Sequence, residues 1–228
     1  MGFQLANSSK LNITKTAITA IPFTAISAAK DAVLTVAANS GADAVAKGDV
    51  VMITECSNNE LLYLPAFVKE ATTTAITLLK VDTTDAITFP AGITGKISKV
   101  KDYVDLPLTS TIANSGGDAN TTTIQFIQDE NARNLFTTTN PAITTLTMAH
   151  DSTDAARPIL EAYTKSQAFV VYRVFNSRAA NGVGEWRLYT VQCRLNGNPQ
   201  MAVNEVETVS LAMTIQKGPK IYLKTDLV

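Results

Sequence analysis

The chain has 228 residues, 46% hydrophobic and only 17% charged, so it can bury a sizeable core without metals or disulfides and must cover much of its surface with Thr, Ser, Asn and Ala. A formal net charge of −1 removes the basic footprint of a protein built to grip nucleic acid, and a charge-poor surface suits an assembly unit better than a dispersed monomer. No run approaches the ~18 apolar residues of a membrane helix, and MGFQLANSSK at the start lacks the basic and apolar regions of a secretion signal, so a soluble, unprocessed chain made in the cytoplasm, with no membrane partner, is expected.

In chain order, KLNITKTAIT (10–19) reads as a first strand. Residues 26–98 form a compositional unit of their own, with short runs such as AVLTVAA, KGDVVMITE, LLYLPAFVKEA and TTAITLLKVDTT. They are rich in Val, Ile, Thr and Tyr, punctuated by Gly, Asp and Pro, and read as about five strands of a small closed barrel or sandwich. The remainder, 1–25 with 99–228, begins again at KVKDYVDLPLTST and passes through LTSTIANSGGDANTTT (108–123), whose polar, Gly-containing composition reads as a flexible loop between two strands. QDENARNLF (128–136) has the look of two helical turns, and DSTDAARPILEAYTKSQ (151–167) of one helix over about 154–166. In the latter, Ile159, Leu160 and Tyr163 form an apolar stripe facing a core, and Pro158 belongs in the first turn. AFVVYRVF, a turn at NGVG, and EWRLYTVQCRL then form a hairpin, followed by a loop PQMAVNEV.

The last strand, in ETVSLAMTIQKGPK, alternates most regularly. Val209, Leu211, Met213 and Ile215 form the core-facing side; Thr208, Ser210, Ala212, Thr214 and Gln216 form a second side that is small, polar and uncharged. Ordinary solvated sheet faces carry Lys and Glu, so this second side needs its own explanation. The fold class expected from all these elements is mainly β, a sandwich or barrel with one flanking helix and a small barrel module, with no fixed-period repeat.

Catalytic and metal chemistry is not apparent. His150 is the single histidine, and a base needs a nucleophile and an orienting partner that no motif supplies. Asp129/Glu130 and Asp151/Asp154 read as acidic residues at helix starts rather than metal ligands. Cys56 and Cys193 belong to no ligand or redox motif and read as buried thiols. Neither an enzyme, nor a cofactor, nor a metal is expected. All six arginines follow residue 130, and Arg173, Arg178, Arg187 and Arg194 cluster on the hairpin without the interleaved aromatics of a nucleic-acid platform. Arg173, Arg187 and Arg194 are therefore candidates for contacts between copies, with Glu205 and Glu207, and also Glu185, as counter-charges.

The order from residue 99 onward, strand, polar loop, strand, helix, hairpin with an aromatic-bearing return strand, and an amphipathic strand ending in Lys-Gly-Pro, resembles the major tail tube protein of long-tailed (siphovirus, lambda-like) bacteriophages. The resemblance covers about 120 residues, with a weaker likeness in SSKLNITKT. It implies a virion structural protein: a β-sandwich flanked by a helix that self-assembles into hexameric rings, stacked into a tail tube through which DNA is ejected. It implies as partners further copies of the chain, a tape-measure protein and transient double-stranded DNA in the lumen, and tail terminator and distal tail proteins at the tube ends. The 26–98 module would decorate the outer wall, and 108–123 would lie between rings. On that reading Thr208, Ser210, Ala212, Thr214 and Gln216 line the lumen, and strand edges pair with neighbouring copies. Two alternatives share the alternation: a tube protein of a contractile secretion system, and a non-catalytic β-sandwich binding or decoration module.

Overall fold

The computed structural model describes residues 9–18, 20–128, 130–177 and 184–227. It is mainly β, with one α-helix, a closed barrel of six strands and further strands beyond it.

The barrel comprises β2 (Ile21–Ile26), β3 (Val33–Val36), β4 (Val50–Cys56), β5 (Pro65–Ala71), β6 (Ala75–Leu78) and β7 (Gly95–Asp105), paired in the order β2-β3-β6-β5-β4-β7 and closed by β2 against β7. Closure removes both sheet edges. Its strands are short and β-branched, and their inward residues, among them Phe23, Leu34, Ile53, Ile76, Leu78 and Ile97, make one fully buried cluster. Gly95 stands where β7 meets both Phe23 of β2 and Cys56 of β4. A Cβ there would lie 2.1 Å from the Glu55 carbonyl oxygen and 2.7 Å from the Phe23 ring. Neither backbone nor a packed ring can yield that much, so Gly95→Ala is expected to cost about 2 kcal/mol or more, seen as a lowered urea midpoint with an unchanged m-value.

β7 continues past the barrel to pair with β1 (Lys10–Ala17), and the sheet extends through β12 (Phe169–Asn176), β13 (Glu185–Leu195), β14 (Thr208–Leu223), β11 (Ala142–Ala149) and β8 (Thr109–Ser115). Beyond β8 and β11 the same two chain segments carry on as β9 (Ala119–Ile124) and β10 (Arg133–Thr139), a separate antiparallel pair.

Two sequence expectations are corrected here. The segment 108–123 is not a loop: β8 pairs with β11 from Ser115↔Ile143 down to Thr109↔Met148, and β9 pairs with β10. Its Thr-rich runs are good strand formers, while Gly116 and Gly117, at φ 75° and 79°, only kink the hairpin; a Cβ on Gly116 would meet the Pro141 carbonyl oxygen at 2.1 Å. Likewise 128–136 makes no helix, because Leu135 and Phe136 pair with Thr122 and Thr121. Glu130 therefore caps nothing helical, and Asp129 lies outside the described residues, as do Arg178 and 181–183 of the NGVG turn.

The helix α1 (Ala156–Ser166) starts as expected. Asp154 accepts from the Ala156 N–H at 2.7 Å, a free donor of the first turn, while Asp151 accepts from Thr153 at 2.8 Å in the turn before the helix, and Pro158 is tolerated in the first turn. The helix ends at Gln167 in the left-handed conformation, whose N–H bonds to Tyr163. Leu160 is buried, Tyr163 packs at the cluster's edge and donates its hydroxyl to the Thr14 carbonyl at 2.7 Å, while Ile159 is half-buried and stands outside the cluster. The helix covers one face of β12, β13, β14 and β11 through a core that includes Tyr172, Val191, Leu146, Val209, Leu211 and Met213.

A third cluster seals the barrel to the opposite face of the same sheet, using Val50, Met52, Phe67 and Val100 from the barrel with Val171, Leu188 and Tyr222. The Phe67 ring meets Tyr222 edge-on at 5.0 Å and Trp186 at 6.2 Å.

Candidate functional site

The barrel covers the second face of the sheet only at β12 and the adjoining ends of β13 and β14. The rest, across β8, β11, β14 and the far end of β13, is a face whose cross-strand rows can be read from the register. One row is Ser115, Ile143, Thr214 and Gln192; the next is Ala113, Thr145, Ala212 and Arg194; a third is Thr111, Thr147 and Ser210. On β14 the core parity, Val209, Leu211 and Met213, is buried and Ile215 packs beside it; Thr208, Ser210, Ala212 and Thr214 are half-exposed and Gln216 is exposed. Shallow depressions lined by Thr145, Ser210, Ala212 and Arg194, and by Gln192, Arg194 and Thr214, mark the surface.

The face is less uniform than the alternation of one strand suggests. Arg194, contributed by β13, is exposed in its middle and makes no ion pair or hydrogen bond among the described residues. A single strand's pattern gives no view of its neighbour's side chains, and only the register places Arg194 beside Ala212.

The other proposed contact residues are distributed differently. Arg173 is engaged within its own chain, its guanidinium 3.5 Å from the centre of the Tyr103 ring and 5.0 Å from that of Trp186, with its Nε donating to Asn12 at 3.1 Å. Asn12 in turn donates to Asp105. The stacked cation and burial around it suit an anchoring role, and burial pushes the Tyr103 hydroxyl pKa well up. Arg187 pairs with Glu185 at 2.5 Å. Glu205 and Glu207 are exposed on the loop between β13 and β14. His150 sits at the mouth of a small cavity with Met148, Asp154, Leu160 and Val209, where Arg157 approaches its Nδ1 at 3.0 Å; no nucleophile joins it among the described residues lining that cavity.

Cys193 is buried and Cys56 half-buried, both unpaired. Burial pushes the Cys193 thiol up to about 12 and raises Cys56 as well. The thiolate is the reactive form, so Cys193 should stay unlabelled by a disulfide reagent at pH 8 and react only on unfolding, as a thiol-release assay with and without denaturant would read.

The kinked hairpin forms a second feature. Residues of β9 and β10 are exposed apart from half-buried Ile124; the tip carries Phe126 at 60% exposure and Ile127 fully exposed, and Phe136, in β10, is 80% exposed. Apolar groups this large, clustered on a projection, indicate a surface made for contact.

A family model described as "Phage tail tube protein, TTP" matches residues 60–224, which take in the barrel strands β5 to β7, the whole sheet from β8 to β14, and the helix. The chain belongs to the phage tail tube protein family. As a tail tube protein it is a structural component of the phage tail. The expected family and the mainly β architecture with one flanking helix and a small barrel agree with this match and with the structure. No curated protein matches the chain.

Proposed function

We propose that copies of this tail tube protein associate side by side into hexameric rings, that the rings stack into the tail tube, and that the face of β8, β11, β14 and β13 forms the wall of its bore, through which DNA leaves the virion. The observation that carries this reading is the face itself: three rows of small, mostly uncharged residues left bare on a sheet whose other side is sealed by a helix. A wall that passes a polyanion without holding it requires few cations, and Thr, Ser and Ala provide that.

β8 supplies the means of ring closure. It is the terminal strand of the twelve-stranded sheet, with β11 on one side only, so its outer N–H and C=O groups await a partner strand. Pairing with the next copy satisfies them and repeats around a closed ring. Glu205 and Glu207 are the charges left for contacts between copies, whereas Arg173 and Arg187 are engaged within their own chain and Arg194 belongs to the bore-facing rows. The hairpin β9–β10 with its exposed aromatics reaches the next ring in the stack, and the barrel, packed on the same side of the sheet as the open face, borders the bore wall at β12. Tape-measure protein fills the bore before DNA does, and terminator and distal tail proteins close the two ends.

Electron microscopy of the purified protein at high concentration tests the assembly: hollow tubes or rings are expected, and persistent monomers would overturn it. Within such tubes, Ser210→Lys with Thr214→Lys should leave assembly intact while slowing DNA ejection from reconstituted phage, by adding phosphate contacts in every ring; ejection at the wild-type rate would remove these residues from the bore.

A further inference from the structure

The lower half of β14 changes what this face presents on the way to the barrel, which buries Tyr222 and Leu188. Against β13, Val191 faces Ile215 but Thr190 faces Lys217, and Leu188 faces Lys220, so β14 carries two extra residues, one in each interval. Each bulge shifts the alternation by one position. Before them the face takes the even residues Ser210, Ala212 and Thr214; between them it takes Lys217, opposite the buried Thr190; after them it takes Lys220 and Tyr222, opposite Leu188 and Trp186. The sequence QKGPK, which under strict alternation would send the two lysines to opposite sides, therefore puts both on the same face as the neutral row. Gly218 makes the second shift possible: its φ is +114° and a Cβ there would lie 2.7 Å from the Leu188 carbonyl oxygen.

Besides Arg173, which the register puts in the row of Leu188 and Lys220 but which Tyr103, Trp186 and Asn12 hold, this face carries Arg194, Lys217 and Lys220 among the described residues. The acidic group reaching them is Glu60, from the barrel loop before β5, whose carboxylate is 3.3 Å from Lys217 and mostly exposed. Lys220 is half-buried and has no ion pair or hydrogen bond among the described residues; burial, then the neighbouring Lys217, lowers its pKa. Such a charge is costly unless something pairs with it. The three cations are also spread out. Arg194 lies opposite Ala212 and Lys220 is eight positions further along β14, about 20 Å at ~3.3 Å per residue once two bulged residues are discounted. With Glu60 at Lys217, one carboxylate from a neighbouring copy would satisfy Arg194 or Lys220 but not both, whereas a ligand with repeated negative charges reaches all three.

We propose that Arg194, Lys217 and Lys220 form a phosphodiester-binding strip that a nucleic-acid duplex touches as it passes along this face. The proposal rests on the reading of the face as the wall of a DNA conduit, and it gives that wall an uneven character: one cation, Arg194, beside Ala212 in the otherwise neutral stretch, and two, Lys217 and Lys220, where the sheet meets the barrel. The contacts are three per copy and repeat in every ring, so the strip slows or aligns the polymer as it moves.

The test is the salt dependence of binding of the full-length protein to a fluorescent 24-base-pair DNA duplex, read by anisotropy, with the assembly state of each sample followed by sedimentation. The slope of log K against log salt is expected to be about −0.9 per phosphate neutralised, and Lys220→Gln, Lys217→Gln and Arg194→Gln should each lessen it by about 0.9 while exposed Lys15→Gln leaves it unchanged. Variants with the wild-type slope would overturn the strip. Lys220→Gln that abolishes assembly with no change in slope would overturn it in favour of a carboxylate from a neighbouring copy. Tubes with an unaltered slope leave the conduit and remove the strip; a lessened slope from protein that forms no tubes leaves the strip and removes the conduit.

Discussion

Tyr222→Ala should lower the stability of the protein by about 3–5 kcal/mol, the cost of emptying an aromatic site in a core that cannot collapse. Tyr222 is fully buried. Its ring stands edge-on to Phe67 of the barrel at 5.0 Å, its hydroxyl donates to the Leu79 carbonyl at 3.3 Å, and it lies opposite Trp186 on β13. One side chain thus joins the last strand of the sheet to the barrel. Tyr222→Phe keeps the ring and loses only the hydroxyl contact, so about 1 kcal/mol is expected. Trp186, the single tryptophan, is 6.2 Å from Phe67, so its fluorescence reports directly on this seam in a urea titration. A loss below 1 kcal/mol for the alanine variant would mean that the seam contributes little and that barrel and sheet are stable separately.

The second large effect concerns the projecting hairpin. Ser115 faces Ile143 directly, so replacing 116–142 by Asn-Gly joins β8 to β11 through a two-residue turn suited to a hairpin. The deleted strands pair with each other and are almost wholly exposed, and the fold should therefore keep its stability to within about 1 kcal/mol. Tube formation should be lost, leaving at most single rings in electron micrographs, because the exposed Phe126, Ile127 and Phe136 are removed from the contact between rings. Full-length tubes from the shortened chain would place the stacking contact elsewhere. A narrower variant, Phe136→Ser, removes one exposed ring and should shift the assembly threshold to higher protein concentration, as light scattering would show.

Much of the architecture was legible because alternation is a local signal. The runs that became β1, β3 to β7 and β12 to β14 carry β-branched residues at a period of two, and the helix carries its own start signals in Asp154 and Pro158. What was hidden has physical causes. β11 was missed because its inward Leu146 and Met148 alternate with threonines in a run whose other parity also holds Ile143, which blurs the period. Of the kinked hairpin, TTTIQFI reads as a strand and overlaps β9, while its flanks read as a loop and a helix because Gly, Asn and Asp usually mark disorder, whereas here they shape a bend and a tip between strands that need no core to pair. The character of the open face was only half visible: Thr208 to Gln216 showed its neutral stretch, but Arg194 enters it through strand register, and Lys217 and Lys220 enter it through bulges that no pattern of two can reveal.

The most direct test of the account is a reconstruction of the assembled tube at a resolution that shows side chains. Ser210, Ala212 and Thr214 are expected on the bore surface, with Val209, Leu211 and Met213 directed into the wall beneath the helix and β8 paired with a strand of the adjacent copy. A tube in which Ser210 and Thr214 face outward, or are packed against hydrocarbon between copies, would contradict it.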